Sequence, residues 1–155
     1  MSRSIVCGVD GSPESEAALG VAARLADRLG LRLVLANVVE HARLPSATVG
    51  PVGGVGTAAR APLGDVLAEQ VRAGERLLAA MAEQANVETG GNRVVSGLAG
   101  ERLADLADEE DAELIVVGSR GRGAFRAAFL GSVSASLVGL ARCPVLVVPP
   151  GASAS

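Results

Sequence analysis

The chain has 155 residues with a formal net charge of −3, 49% hydrophobic residues and only 1% aromatic residues. This length fits one domain, which we expect over residues 1–150, followed by a disordered tail at residues 151–155. All 14 positively charged side chains are arginine because the sequence contains no lysine, and this excludes Walker A phosphate loops, Schiff-base enzymes and kinase-type nucleotide sites.

The first part of the chain predicts a strand, a helix and a second strand. An apolar run indicates a strand over residues 4–9. Ser12 suits the N-cap of a following helix, Pro13 suits its first position and Gly30 suits its end. A second strand is predicted over residues 31–39.

The next segment is rich in glycine and proline between residues 42 and 64, which predicts a long mobile loop. Beyond it, short apolar runs again alternate with helical patterns. This alternation is typical of α/β domains in which helices cover both faces of a parallel sheet. The remaining elements are predicted as a helix over residues 65–85, strands over residues 93–96, 113–117 and 145–148, and helices over residues 100–110 and 132–141.

A glycine-rich segment follows the fourth predicted strand and leads into the fourth predicted helix. It contains Gly118 and Gly121, then nine further residues, then Gly131 and Ser132. Glycines allow the backbone to approach a ligand closely and to adopt positive φ, and the free N–H groups at a helix start attract anions. Ser132 adds a hydroxyl donor, so the segment predicts a binding site for a diphosphate or triphosphate.

Three arginines lie in the same segment although the protein as a whole is acidic. They are Arg120, Arg122 and Arg126. Their positive charges favour phosphate binding. The alternative interpretation is a solvated glycine-rich loop whose arginines balance the acidic third helix.

Asp10 lies at the end of the first predicted strand, next to Gly11 and Ser12. Ligands of open α/β sheets bind beyond the carboxyl ends of the strands, at the point where the strand order reverses. A carboxylate there would accept hydrogen bonds from a ribose hydroxyl or an adenine amino group. The alternative is an Asx-turn or a helix cap, which is common for this sequence of residues.

Scarce residue types exclude further classes of function. His41 is the only histidine, and Cys7 and Cys143 are the only cysteines, so no Cys/His zinc site can be assembled. The absence of Trp and Tyr and the mild acidity argue against a nucleic-acid partner. No segment has the pattern of a signal peptide or a membrane span, and we therefore expect a cytoplasmic protein with no membrane partner.

Together these residues resemble the universal stress protein family, specifically its nucleotide-binding branch. The signature of that branch is G-x2-G-x9-G-(S/T), and the glycine-rich segment matches its spacing. The fixed positions are occupied by Gly118, Gly121, Gly131 and Ser132, and further matching segments are residues 9–12, 112–117 and 143–148. The resemblance covers residues 4–149.

The resemblance implies an adenine nucleotide alpha hydrolase-like fold, a five-stranded parallel sheet of order 3-2-1-4-5 with helices on both faces. It also implies that the cofactor is ATP or another adenine nucleotide, such as AMP or cyclic AMP, with any Mg or Mn ion held mainly by the phosphates and water. Asp10 would meet the ribose and adenine. The adenine slot would be lined by Gly8, Val9 and Val38, and the ribose and phosphates would be held by Gly118, Arg120, Gly121, Gly131, Ser132, Val133 and Ser134.

The function implied is an ATP-binding regulatory or stress-response module without catalytic residues. One alternative is a slow ATPase or nucleotidyl-type enzyme on the same scaffold, with Asp10 or a water held by Ser132 taking part. The other is a nucleotide-free dimeric scaffold. The last predicted strand, Val145–Val148, would be an apolar edge strand, and with the resemblance this predicts a homodimer formed through it.

Overall fold

The structure, a computed structural model, describes residues 3–40, 63–120 and 130–152. Strands and helices alternate along the chain, as the sequence predicts. The elements are β1 (Ser4–Gly8), α1 (Pro13–Leu29), β2 (Arg32–Val39), α2 (Leu63–Ala85), β3 (Gly91–Ser96), α3 (Ala99–Glu109), β4 (Ala112–Gly118), α4 (Ser132–Leu140) and β5 (Val145–Val148).

Two predicted boundary segments lie partly outside the described residues. Of the predicted loop over residues 42–64, only Leu63 and Gly64 are described, and both belong to α2 rather than to a loop. Asp65 lies in the first turn of this helix, where its carboxylate interacts favourably with the positive end of the helix dipole. Of the predicted tail, residues 151 and 152 are described and residues 153–155 are not.

The five described strands form one parallel sheet of order β3-β2-β1-β4-β5, which confirms the predicted topology. β1 lies between β2 and β4: Gly8 pairs with Ala36 on one side, and Cys7 pairs with Val116 on the other. The strand order reverses between β1 and β4. The carboxyl ends of these two strands therefore meet at the position where α/β sheets bind ligands.

Helices cover both faces of the sheet, giving three layers. Residues of α1 and α2 pack with Ile5 and Cys7 on one face, whereas residues of α3 and α4 pack with Val6 on the other. Successive side chains of a strand point to opposite faces, so β1 contributes to both cores. Because neither face of the strand is left to solvent, the run Ser4–Gly8 is apolar with almost no polar interruption.

The ends of α1 follow the predicted chemistry. Ser12 has an extended backbone, and its hydroxyl accepts a hydrogen bond from the N–H of Ser15 at 3.2 Å. Gly30 ends the helix with φ of 64°, a left-handed conformation that glycine adopts at low cost. The hydroxyl of Ser12 therefore satisfies one of the free N–H groups in the first turn of α1, that of Ser15.

The buried thiol of Cys7 makes stability depend on pH. Burial raises the pKa of this thiol from 9.0 to about 12, so the folded state keeps a proton that the unfolded state loses. Its contribution to stability is fully present below pH 9 and is lost as the pH rises towards 12. In urea unfolding at a series of pH values above 9, the free energy of unfolding should fall more steeply with pH for the wild type than for Cys7→Ala. Parallel pH profiles for the two proteins would contradict this, since Cys143 titrates in both.

Within residues 3–40, 63–120 and 130–152, no helix combines the length and the apolar character needed to cross a membrane.

Candidate functional site

A cavity of about 540 Å³ opens at the carboxyl ends of β1, β2 and β4. Pockets for small ligands commonly fall in the range of roughly 300–1,000 Å³. Gly121, one of the predicted site residues, lies outside the described residues. All the other predicted site residues line this cavity: Gly8, Val9, Asp10, Val38, Gly118, Arg120, Gly131, Ser132, Val133 and Ser134.

One part of the cavity is an apolar slot on the sheet face that α3 and α4 cover. Gly8, Ala36 and Val38 line it from β1 and β2, and Leu103 and Val117 line it from α3 and β4. A Cβ atom at Gly8 would lie 3.0 Å from Leu103 Cδ1 and 3.1 Å from Val117 Cγ1. The side chains at this end of the slot are therefore already in contact range of Gly8, and a larger residue there would displace them.

Asp10 forms the turn between β1 and α1. Its Oδ1 accepts a hydrogen bond from the N–H of Ser12 at 2.9 Å, so the Asx-turn considered from the sequence is present. Asp10 also lines the cavity and is half-buried. The turn fixes the position of the carboxylate at the end of β1.

The first turn of α4 faces the cavity with no side-chain cap. Gly131 is its N-cap residue and makes no capping side-chain hydrogen bond, and the first turn carries no acidic residue. Ser132, Val133 and Ser134 line the cavity from this turn. The N–H groups at a helix start and the helix dipole favour an anion, so this end of the cavity suits a phosphate group.

A hydrogen-bond network joins the end of β4 to the start of α4. The carbonyl oxygen of Ser119 accepts a hydrogen bond from the N–H of Gly131 at 2.6 Å. Ser134 Oγ donates towards the carbonyl oxygens of Ser119, at 3.2 Å, and Gly131, at 3.1 Å. The N–H of Ser119 in turn donates to the carbonyl of Val148 in β5 at 2.8 Å. The hydroxyl of Ser134 therefore holds the backbone of the site, whereas Ser132 is exposed towards the cavity.

From the sequence, the glycines of this segment were expected to provide positive φ and close approach to a ligand. The structure gives a different reason for Gly118. Gly131 has φ of −69°, and Gly118 is not among the residues with positive φ, so neither needs glycine for its backbone conformation. Instead, a Cβ atom at Gly118 would lie 2.9 Å from the backbone carbonyl carbon and the Cβ of Glu14. Gly118 is required for the close packing of β4 against the first turn of α1.

Sequence reasoning missed several residues that line the cavity. Glu40 has a detectable signal: it continues the alternation of Ala36 and Val38 along β2, which places it on the cavity face. Asn37 donates from Nδ2 to the carbonyl of Val9 at 2.9 Å and so links β2 to the end of β1. The other missed residues are Ser15, Ala36, Ala99, Leu103, Val117, Ser119 and Leu130.

The charged residues that line the cavity follow different strands of the sheet. Arg120 follows β4, next to the first turn of α4, whereas Asp10 follows β1 and Glu40 follows β2. Within the described ranges, no group of three or more His, Cys, Asp or Glu residues is arranged to hold a metal ion. An anion is therefore favoured at the end of the cavity near β4 and disfavoured at the end near β2.

Comparison with known proteins identifies the family of the chain. The model of the universal stress protein family matches residues 1–149. The chain belongs to the universal stress protein family. Gly118, Gly131 and Ser132, which belong to the glycine-rich segment and are among the described residues, line the cavity of this universal stress protein.

Relatives within the universal stress protein family differ in length from this chain. A universal stress protein of Mycolicibacterium smegmatis is 33% identical over 154 residues, which cover 94% of this chain but 45% of the relative. A universal stress protein of Thermus aquaticus is 30% identical over 148 residues, covering 96% of this chain and 99% of the relative. The chain thus spans about half of the first relative and nearly all of the second.

A solved structure of a universal stress protein in complex with cAMP is 25% identical to this chain. The match covers 97% of this chain and 99% of that one, with a TM-score of 0.67. The shared fold extends over almost the whole length of both proteins.

Proposed function

We propose that this universal stress protein binds ATP, or another adenine nucleotide, in the cavity between β1, β2 and β4 and acts as a nucleotide-dependent regulatory module. The observation that carries the proposal is the uncapped first turn of α4, which faces a cavity of about 540 Å³ together with Arg120. The cAMP complex of a similar universal stress protein supports an adenine nucleotide as the ligand.

The nucleotide would lie across the end of the sheet. Its phosphates would meet the N–H groups of the α4 first turn, the hydroxyl of Ser132 and the guanidinium of Arg120. Its ribose would meet Asp10, and its base would enter the apolar slot beside Gly8 and Val38. The chain supplies backbone donors, which stabilise a phosphate without a lysine. A Mg or Mn ion, where the nucleotide carries one, would be held by phosphate oxygens and water.

Substitutions of Ser132 and Ser134 should affect different properties of the protein. The side chain of Ser132 is exposed at the cavity, whereas the hydroxyl of Ser134 is hydrogen-bonded to the backbone. We expect Ser132→Ala to weaken ATP binding about fivefold through the loss of one hydrogen bond, with an unchanged free energy of unfolding. We expect Ser134→Ala to lower the free energy of unfolding by about 1 kcal/mol, because its buried hydroxyl holds the backbone of Ser119 and Gly131. Calorimetric titration with ATP and urea unfolding measure the two effects. Equal ATP affinities for wild type and Ser132→Ala would contradict the proposed phosphate position.

The proposed module forms a homodimer through β5. In the described sheet β5 lies at an edge, and its unpaired backbone groups offer a template for a second strand. Val138 and Leu140 of the neighbouring α4 are 66% and 48% exposed, and residues 130–141 contain no charged side chain. A second copy related by a twofold axis presents the same edge and the same apolar side chains, and so matches both features.

The dimer is tested with a charge placed on the exposed apolar side chain of α4. We expect Val138→Glu to shift the protein from dimer to monomer in analytical ultracentrifugation, because a carboxylate would be buried in the contact. Leu29→Glu is the matched control, since Leu29 is 60% exposed on α1. A monomeric wild type, or a Val138→Glu variant that dimerises like the Leu29→Glu control, would contradict the proposed surface.

A further inference from the structure

Glu40 stands at the opposite end of the cavity from the phosphate-binding turn. It follows β2 directly, and its side chain lies on the same face as Ala36 and Val38, with which it lines the cavity. In the part of the chain that the structure describes, Glu40 is exposed, and none of the ion pairs there involves it. Its carboxylate is available to a ligand at this end of the cavity.

In the proposed binding mode, the base of the nucleotide would lie at the end of the cavity where Glu40 is found. β1 separates β2 from β4, so Glu40 and Arg120 follow strands that are two strand spacings apart, about 10 Å. Phosphates are attracted to the α4 first turn and Arg120, and they are repelled by the carboxylate of Glu40. A nucleotide with its phosphates at α4 therefore directs its base towards β2.

A carboxylate distinguishes bases by the hydrogen-bonding group that they present. An ionised carboxylate only accepts hydrogen bonds. The exocyclic amino group of adenine donates to it, whereas the carbonyl oxygen at the same ring position of hypoxanthine or guanine is another acceptor. Where the carboxylate faces this ring position, an oxo base would place two acceptors against each other and leave both without a donor, which disfavours that base.

We infer that Glu40 is a specificity-determining residue that selects adenine over 6-oxopurines by accepting a hydrogen bond from the exocyclic amino group. The inference rests on the proposed nucleotide function. It adds to that function the residue that would select adenine over 6-oxopurines. The two ends of the cavity then have different roles. The first turn of α4 and Arg120 bind the phosphates, and Glu40 accepts a hydrogen bond from the base.

The test compares ATP with inosine triphosphate, which carries the 6-oxo group on the same ribose and phosphates. Calorimetric titrations give the ratio of the two affinities for the wild type and for Glu40→Gln. The removal of a negative charge strengthens phosphate binding equally for both nucleotides, so this effect cancels in the ratio. The glutamine amide can also donate to the 6-oxo group. We expect the preference for ATP to fall about fivefold, the equivalent of one hydrogen bond.

Glu83→Gln is the matched control. Glu83 is an exposed residue of α2, which packs on the other face of the sheet, and its replacement changes the net charge by the same amount. The control should keep the wild-type ratio. An unchanged ratio in Glu40→Gln, with ATP bound normally by the wild type, would overturn the role of Glu40 alone. A wild type that binds neither nucleotide would overturn both the proposed function and this inference.

Discussion

Gly131→Asp is expected to weaken ATP binding about a hundredfold. Gly131 is the N-cap of α4, and a carboxylate at this position would accept hydrogen bonds from the N–H groups that we assign to the phosphates. It would also place a negative charge beside the nucleotide. The combined loss is about 3 kcal/mol, roughly a hundredfold in Kd. Calorimetric titration of the purified variant with ATP measures it.

The matched control adds the same charge to the start of another helix. Gly64 lies in the exposed first turn of α2, and a Cβ atom there would meet no other atom within 4 Å. Gly64→Asp should bind ATP as the wild type does. Because aspartate is a good N-cap residue, Gly131→Asp should remain folded. If it binds ATP with wild-type affinity, the phosphates do not lie at the first turn of α4.

Gly118→Ala is expected to lower the free energy of unfolding by about 2 kcal/mol, a typical cost of overpacking. The added Cβ would lie 2.9 Å from the backbone carbonyl carbon of Glu14. Backbone atoms cannot move aside as the end of a flexible side chain can, so α1 must shift away from β4. The turn that carries Asp10 leads directly into α1, and we expect the ATP affinity to fall as well.

Gly20→Ala makes the same chemical change within α1 without the same contact. No atom lies within 4 Å of a Cβ placed at Gly20. Alanine is the better helix former by about 1 kcal/mol. Urea unfolding should therefore give opposite signs for the two variants, destabilised for Gly118→Ala and stabilised for Gly20→Ala. A Gly118→Ala protein as stable as the wild type would show that β4 and α1 are not packed as described.

The elements were predictable because local chemistry and tertiary packing agree in this chain. The cap residues Ser12 and Gly30 have the backbone conformations that serine and glycine favour at helix ends. The apolar runs of the central strands are buried on both faces, so their length and composition identify them directly. The start of α2 was placed two residues late, at residue 65, because Leu63 and Gly64 are exposed and carry no packing signal.

The cavity was predictable only in part, because its residues come from different elements. The glycine-serine signature identified the first turn of α4, and the end of β1 followed from the rule for parallel sheets. Leu103 contributes from the buried face of α3, where it resembles any other core residue. Ser134 lines the cavity, and its hydroxyl is hydrogen-bonded to backbone carbonyls. Such a bond depends on how β4 meets α4, which no local pattern encodes.

The nucleotide carried by the purified protein tests the central claim most directly. The chain contains no Trp or Tyr and so has almost no near-ultraviolet absorbance of its own, which makes bound adenine easy to detect. We predict that the native protein carries an adenine absorption band, or acquires one after incubation with ATP and desalting. Mass spectrometry of the ligand released by denaturation should identify an adenine nucleotide, and Gly131→Asp should release none. A native protein that shows no adenine band after this treatment, and no heat on titration with ATP, AMP or cAMP, would contradict the proposed function.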